Sequence, residues 1–107
     1  MYQQGDVMIV PVSELAEPHT RRDGNQIAGN VLALGEATGH AHVAEGVGVT
    51  VREVVGDAEI HAWLDAPNGA TITHQEHGTV QVPPGRYAIM LVPEHDYEAG
   101  HIRNVRD

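Results

Sequence analysis

Twelve glycines and six prolines interrupt this 107-residue chain so often that no apolar stretch sustains a helical period. What remains between the interruptions are short, partly alternating runs such as DVMIVPV and RYAIMLV. Runs of about five to eight residues bounded by Gly, Pro, Asn and Asp read as strands. They are expected over residues 6–12, 27–34, 40–44, 47–54, 59–64, 70–75, 79–82 and 86–92, with a last extended piece at 101–105. Residues 14–26 (ELAEPHTRRDGNQ) read as an exposed loop, and helix is expected only in fragments such as 98–104. About eight short strands in one domain, residues 1–107, predict an all-β fold. A small jelly roll or β-barrel suits it, because rolling up a sheet removes or shortens its exposed edges.

The core of such a domain must be aliphatic, because the chain has no Phe, one Trp and three Tyr. The absence of cysteine excludes disulfides, thiolate metal sites and cysteine nucleophiles. There is no lysine for Schiff-base chemistry, and the one serine, Ser13, lacks a G-x-S-x-G setting. A net charge of −9 argues against a sequence-independent nucleic-acid binder, which needs a positive surface. No apolar run is long enough to cross a bilayer, and the start MYQQGDVMIVPV does not read as a secretory signal. A cytoplasmic location without membrane contact is the expectation.

Two turns can be read closely. Pro67-Asn68-Gly69, with Gly69 left-handed, would make a hairpin pairing Leu64 with Ile72 and Ala62 with His74. In that register His74 points into the apolar face. Pro83-Pro84-Gly85 fits a type II turn leading into a strand whose Tyr87, Ile89 and Leu91 share a face.

Chemistry concentrates in TGHAH (38–42) and HQEH (74–77), which hold four of the eight histidines. His40 and His42, two apart in a strand, lie on one face with Cα atoms roughly 6–7 Å apart. Imidazoles so placed can converge on one ion at about 2 Å each. His74 is the third expected ligand, and His77 or Glu76 would complete the set. Glu76 has the strand parity of His74, whereas His77 needs a bend near Gly78; Glu45 is a reserve carboxylate. Nitrogen and oxygen donors of this kind suit one transition-metal ion: copper, iron, zinc or nickel, and manganese where oxygen dominates. His19, His95 and His101 read as solvated loop residues, and His61, beside Trp63 on an outer face, as surface or subunit interface. The pair of glycines in GVGV (46–49) has neither the third glycine nor the following helix of a dinucleotide site.

G-H-A-H-V-A-E at 39–45, H-Q-E-H at 74–77 and V-P-P-G-R-Y at 82–87 together resemble the cupin superfamily. The closest resemblance is to a group of short bacterial and phage-encoded proteins sharing GHAH, HEEH and PPGxY. The resemblance implies a jelly roll holding a metal mainly by histidines, and frequent dimerisation through its sheets. Two positions depart from the superfamily pattern. Only Val43 and Ala44 separate His42 from Glu45, where three or four residues are usual. Ala88 stands where the second motif commonly has histidine, so His74 in its place would rearrange the site.

The expected function is a small histidine-rich, metal-binding, cupin-like protein forming a homodimer. Its catalytic form would be a metal-dependent oxidoreductase or lyase acting on a small molecule. The competing expectations are a non-catalytic accessory or interaction protein of bacterial or phage origin, with at most a structural metal, and a metal- or pH-responsive binding module.

Overall fold

In a computed structural model, residues 1–15, 22–34, 39–57 and 59–92 are described. The expected strand at 101–105, the helical fragment at 98–104 and His19, His95 and His101 lie outside them. The described residues form ten antiparallel strands in two sheets. These are β1 (Tyr2–Gln4), β2 (Val7–Pro11), β3 (Arg22–Gln26), β4 (Val31–Leu34), β5 (Ala41–Glu45), β6 (Thr50–Val55), β7 (Ala62–Ala66), β8 (Ala70–Thr73), β9 (Val80–Val82) and β10 (Gly85–Leu91). The larger sheet runs β1-β2-β10-β7-β6-β3 and the smaller β4-β5-β8-β9. The all-β expectation holds, as a small sandwich or barrel. No helix among the described residues is long and apolar enough to cross a membrane.

The space between the sheets is filled by small and branched aliphatic side chains. Val7, Ile9, Val51, Leu64 and Ile89 of the larger sheet meet Leu32, Ala44, Ile72 and Val82 of the smaller. Strict alternation explains the set: in β8, Ala70 and Ile72 are buried while Thr71 and Thr73 are only half-buried. A second cluster of Ile60, Trp63 and Ala88 lies apart from this core, covered by Val12, Leu15, Val54 and Met90. Trp63 is therefore only 4 % exposed, not the surface residue its alternation suggested. The Arg86 guanidinium sits 4.6 Å from its ring centroid and bridges Asp23 and Asp65. His61 is exposed, as expected.

Three expectations need correction. Pro67-Asn68-Gly69 does not close a hairpin between β7 and β8. β7 pairs with β10 and β6, whereas β8 pairs with β5 and β9, so the turn carries the chain from one sheet to the other. Its local chemistry is as read: Gly69 has φ +85° and donates its N–H to the Ala66 carbonyl. Second, Pro83-Pro84-Gly85 is likewise a crossing between sheets. Gly85 already belongs to β10 with φ 156°, far from the roughly +80° of a type II turn.

Third, the polar stretch 14–26 is not all loop. Arg22–Gln26 forms an edge strand against β6, with an irregularity between Asp23 and Gln26. Backbone pairing needs no apolar side chains, and a charged, irregular edge is what discourages further strand addition. The run 27–34 is split because Ala28–Asn30 forms a tight turn, with φ +72° at Gly29 and +54° at Asn30. There too the chain changes sheet.

Candidate metal centre

The β5–β8 register decides where the histidines go. Glu45, Ala44 and Val43 pair with Thr71, Ile72 and Thr73. Continuing that register sets His42 opposite His74 and His40 opposite Glu76. Residues opposite one another share a face. Accordingly the His42 and His74 rings lie 4.2 Å apart between centroids, and His40 Nδ1 is 3.5 Å from a Glu76 carboxylate oxygen. The His40 and His74 centroids are 5.7 Å apart. His74 is thus brought beside His42 as expected, through β5 rather than through β7. Glu45 has the opposite parity and is exposed, so the reserve carboxylate is not at the cluster.

Strand β8 stops at Thr73 because His74 turns the chain. Its Nδ1 accepts the backbone N–H groups of Glu76 at 3.0 Å and His77 at 3.3 Å. This side-chain-to-backbone turn competes with the ladder as a short polar side chain does in an Asx-turn. The resulting bend reverses the parity problem of His77. Its ring comes within 4.7 Å of His74 and 6.2 Å of His42, centroid to centroid. All four histidines expected at the site therefore gather at one place.

Two further residues complete it, neither nominated by the sequence. The β1–β2 hairpin turns at Gly5-Asp6, with φ +58° at Gly5, a glycine at the first central position of a two-residue loop. A side chain at Gly5 would collide with the His77 ring, its Cβ falling 2.5 Å from Nε2. The glycine lets His77 lie against the turn. Asp6 then faces His42, with Oδ1 3.3 Å from Nε2. Gln4, fully buried, reaches across from β1 to the smaller sheet. Its Nε2 donates to the carbonyls of Ile72 at 2.9 Å and Gly78 at 2.8 Å, and its Oε1 lies 2.8 Å from His42 Nδ1. Gln4 thereby holds both ends of the β8–β9 loop and the buried imidazole together. The sequence signal for Gln4 and Asp6 is weak: QQGD reads equally as a solvated start and a hairpin turn.

Electrostatics follow from this enclosure. His42 is 1 % exposed. Desolvation, then the neighbouring His74, lowers its pKa to about 4, with Asp6 opposing. His74 is also lowered, by burial first and then by His77 and His40. Both rings are thus biased towards the neutral, ligand-competent form. Among the described residues, however, no three His, Asp or Glu side chains already stand as a closed metal-binding group. The Nδ1 lone pair of His74 is engaged by backbone, and a neutral ring so engaged carries its proton on Nε2. The donor set of imidazoles and carboxylates nonetheless fits a transition-metal ion. Two cavities of about 620 and 480 Å³ both border His61 and Leu91, and neither is lined by His40, His42, His74 or His77.

No curated protein and no solved structure matches the chain. Residues 3–91, which include every residue of the histidine cluster and the Gln4–Asp6 turn, match the family described as Domain of unknown function (DUF8820), and the chain belongs to that family.

Proposed function

We propose that this protein is a small cupin-like metal-binding domain that takes up one transition-metal ion at the histidine cluster. The observation that carries this reading is the convergence of His40, His42, His74 and His77, from two separated stretches of sequence, with the His74 ring centroid 4.2–5.7 Å from each of the other three. Carboxylates of Glu76 and Asp6 stand at the same place. Packing a buried histidine beside three others is unfavourable for a protein that only needs a core, since an apolar residue would fill the space without polar groups to satisfy. Gln4 meets His42 Nδ1 and Asp6 faces its Nε2, and a bound ion would join this pair to the rings beside it. His40, His42 and His77 with Glu76 or Asp6 would hold the ion, beside His74, whose Nδ1 is taken by backbone N–H groups. The ion would bring Lewis-acid or redox chemistry, according to its identity.

A homodimer belongs to the same reading. Leu34 and Leu91, 77 % and 48 % exposed, border one cavity and offer an apolar rim for a second copy.

Elemental analysis of untagged protein, purified without chelator, tests the proposal beside His42→Ala. About one equivalent of copper, iron, zinc, nickel or manganese in the parent, lost in the variant, is the expected result. Parent protein that is metal-free and resists loading overturns it and leaves an interaction domain.

A further inference from the structure

The four histidines are not equivalent, and the difference lies in where each ring keeps its proton. Gln4 sets this for His42. Its side-chain nitrogen faces two backbone carbonyl oxygens, of Ile72 and Gly78, which can only accept. The amide is therefore fixed with its nitrogen towards them and its oxygen towards His42. An amide oxygen can only accept, so His42 Nδ1 must carry a hydrogen and donate it over 2.8 Å. In the neutral ring this leaves the lone pair on Nε2.

That lone pair does not face a donor. It faces Asp6 Oδ1 at 3.3 Å, beside a ring that is 1 % exposed. A carboxylate and a ring nitrogen opposed in this way need a cation between them, which either a proton on Nε2 or a metal ion can supply. The separation is that of two ligands of one ion as well as of a long ion pair. A charge-assisted N–H to carboxylate bond is shorter, at about 2.7–2.9 Å. Two ligands at about 2.0–2.2 Å from one tetrahedral ion stand roughly 3.3–3.5 Å apart. A ring whose far nitrogen donates to an amide oxygen is also the usual support for a metal-bound imidazole. His74 is arranged in the opposite sense, with Nδ1 accepting from Glu76 and His77.

We propose that Asp6 is a metal ligand paired with Nε2 of His42, that Gln4 is the positioning residue selecting that nitrogen, and that His74 shapes the loop instead of coordinating. This deepens the metal-binding reading and rests on it. It assigns the ion's first two donors to different sheets: His42 to β5, and Asp6 to the β1–β2 turn.

The test has two parts. Long-range ¹H–¹⁵N correlation spectra of the metal-free protein at pH 7 report the protonation of each ring nitrogen without any variant. The expected spectrum shows His42 protonated at Nδ1 only and His74 at Nε2 only. His42 protonated at Nε2, or at both nitrogens, overturns the assignment. Zinc is then titrated into parent, Asp6→Asn and Gln4→Met, with affinity read by competition against a chromophoric chelator. Gln4→Met is expected to weaken binding roughly 10–100-fold, as removal of a ligand's support does, and Asp6→Asn by more. The same correlation spectra of metal-free Gln4→Met separate positioning from general damage: His42 is expected to lose its Nδ1-only form while the other ring signals stay in place. Parent protein that binds zinc while Asp6→Asn binds it equally well overturns this inference and leaves the metal-binding function standing. Parent protein that binds no zinc, copper, iron, nickel or manganese overturns the function itself.

Discussion

Replacing Gln4 by methionine keeps the volume of the buried side chain and removes its three polar contacts. The Ile72 and Gly78 carbonyls lose the donor that reaches them at 2.9 and 2.8 Å, and His42 Nδ1 loses its acceptor. Each buried polar group left without a partner costs about 1–3 kcal/mol. The Ile72 carbonyl and the His42 ring are enclosed, whereas Gly78 is exposed and water can replace its lost donor. Two effective losses give about 2–6 kcal/mol, a large share of the roughly 5–15 kcal/mol that holds a domain together. At about 4–8 °C per kcal/mol for a chain near this length, the melting temperature should fall by at least ~10 °C. Urea unfolding followed by circular dichroism measures the same quantity at fixed temperature. A change in unfolding free energy below about 0.5 kcal/mol would refute the reasoning, since it would mean that the three bonds exchange freely with water.

Other perturbations follow from the same geometry. Stability of the metal-free protein should be level above pH 7 and fall between pH 6.5 and 4. The pKa of His42 is about 4 when folded against 6.5 when unfolded, so in that window only the unfolded chain takes up the proton. The full drop by pH 4 is on the order of 3 kcal/mol, His74 shifts in the same direction, and a urea midpoint that stays flat or rises on acidification contradicts it. Gly5→Ala places a Cβ at φ +58° against the His77 ring. It should cost about 1–2 kcal/mol for the backbone alone and shift the His77 ring resonances, and an unperturbed His77 spectrum would show that the ring does not rest there. Tyr87→Phe removes the hydroxyl that donates to the Pro83 carbonyl at the sheet crossing. About 1 kcal/mol should be lost in chemical denaturation, and no loss would mean that the crossing is held by packing alone.

What the sequence revealed and what it hid divide along a physical line. Alternation is local, so the strands of the core could be placed from VMIVP, ATIT and RYAIML. Sheet membership is not local. Pro67-Asn68-Gly69 has the turn residues of a hairpin, yet the same left-handed Gly69 serves a corner between sheets, because nothing in three residues states which partner the next strand will find. His74 reached the site although the pairing that was expected to bring it there does not exist. The H-x-H spacing and the HQEH cluster are each compact signals, whereas Gln4 and Asp6 acquire meaning only from His42, 38 and 36 residues further along. The polar edge strand β3 was hidden for a different reason: its pairing is carried by backbone groups that every residue possesses.

The placement of the two proposed donors makes metal binding a stability question. Asp6 belongs to the turn of β1 and β2 in the larger sheet, and His42 to β5 in the smaller. An ion held by both ties the sheets together at the end where Gln4 already spans them. In the unfolded chain these side chains are 36 residues apart along the sequence, and the tautomer fixed by Gln4 is lost. The ion should therefore bind the folded state in strong preference. With free metal at 100 times its dissociation constant, the folded state gains about 2.7 kcal/mol. For a chain of this size that is a rise of roughly 10–20 °C in melting temperature. Thermal unfolding in zinc, and again after chelator, measures it directly, with Asp6→Asn as the control that should show a much smaller rise. A metal-loaded protein that melts at the metal-free temperature would mean that the ion is bound equally well by folded and unfolded chains. It would then sit on scattered surface histidines, and the enclosed pair of His42 and Asp6 would have no part in holding it.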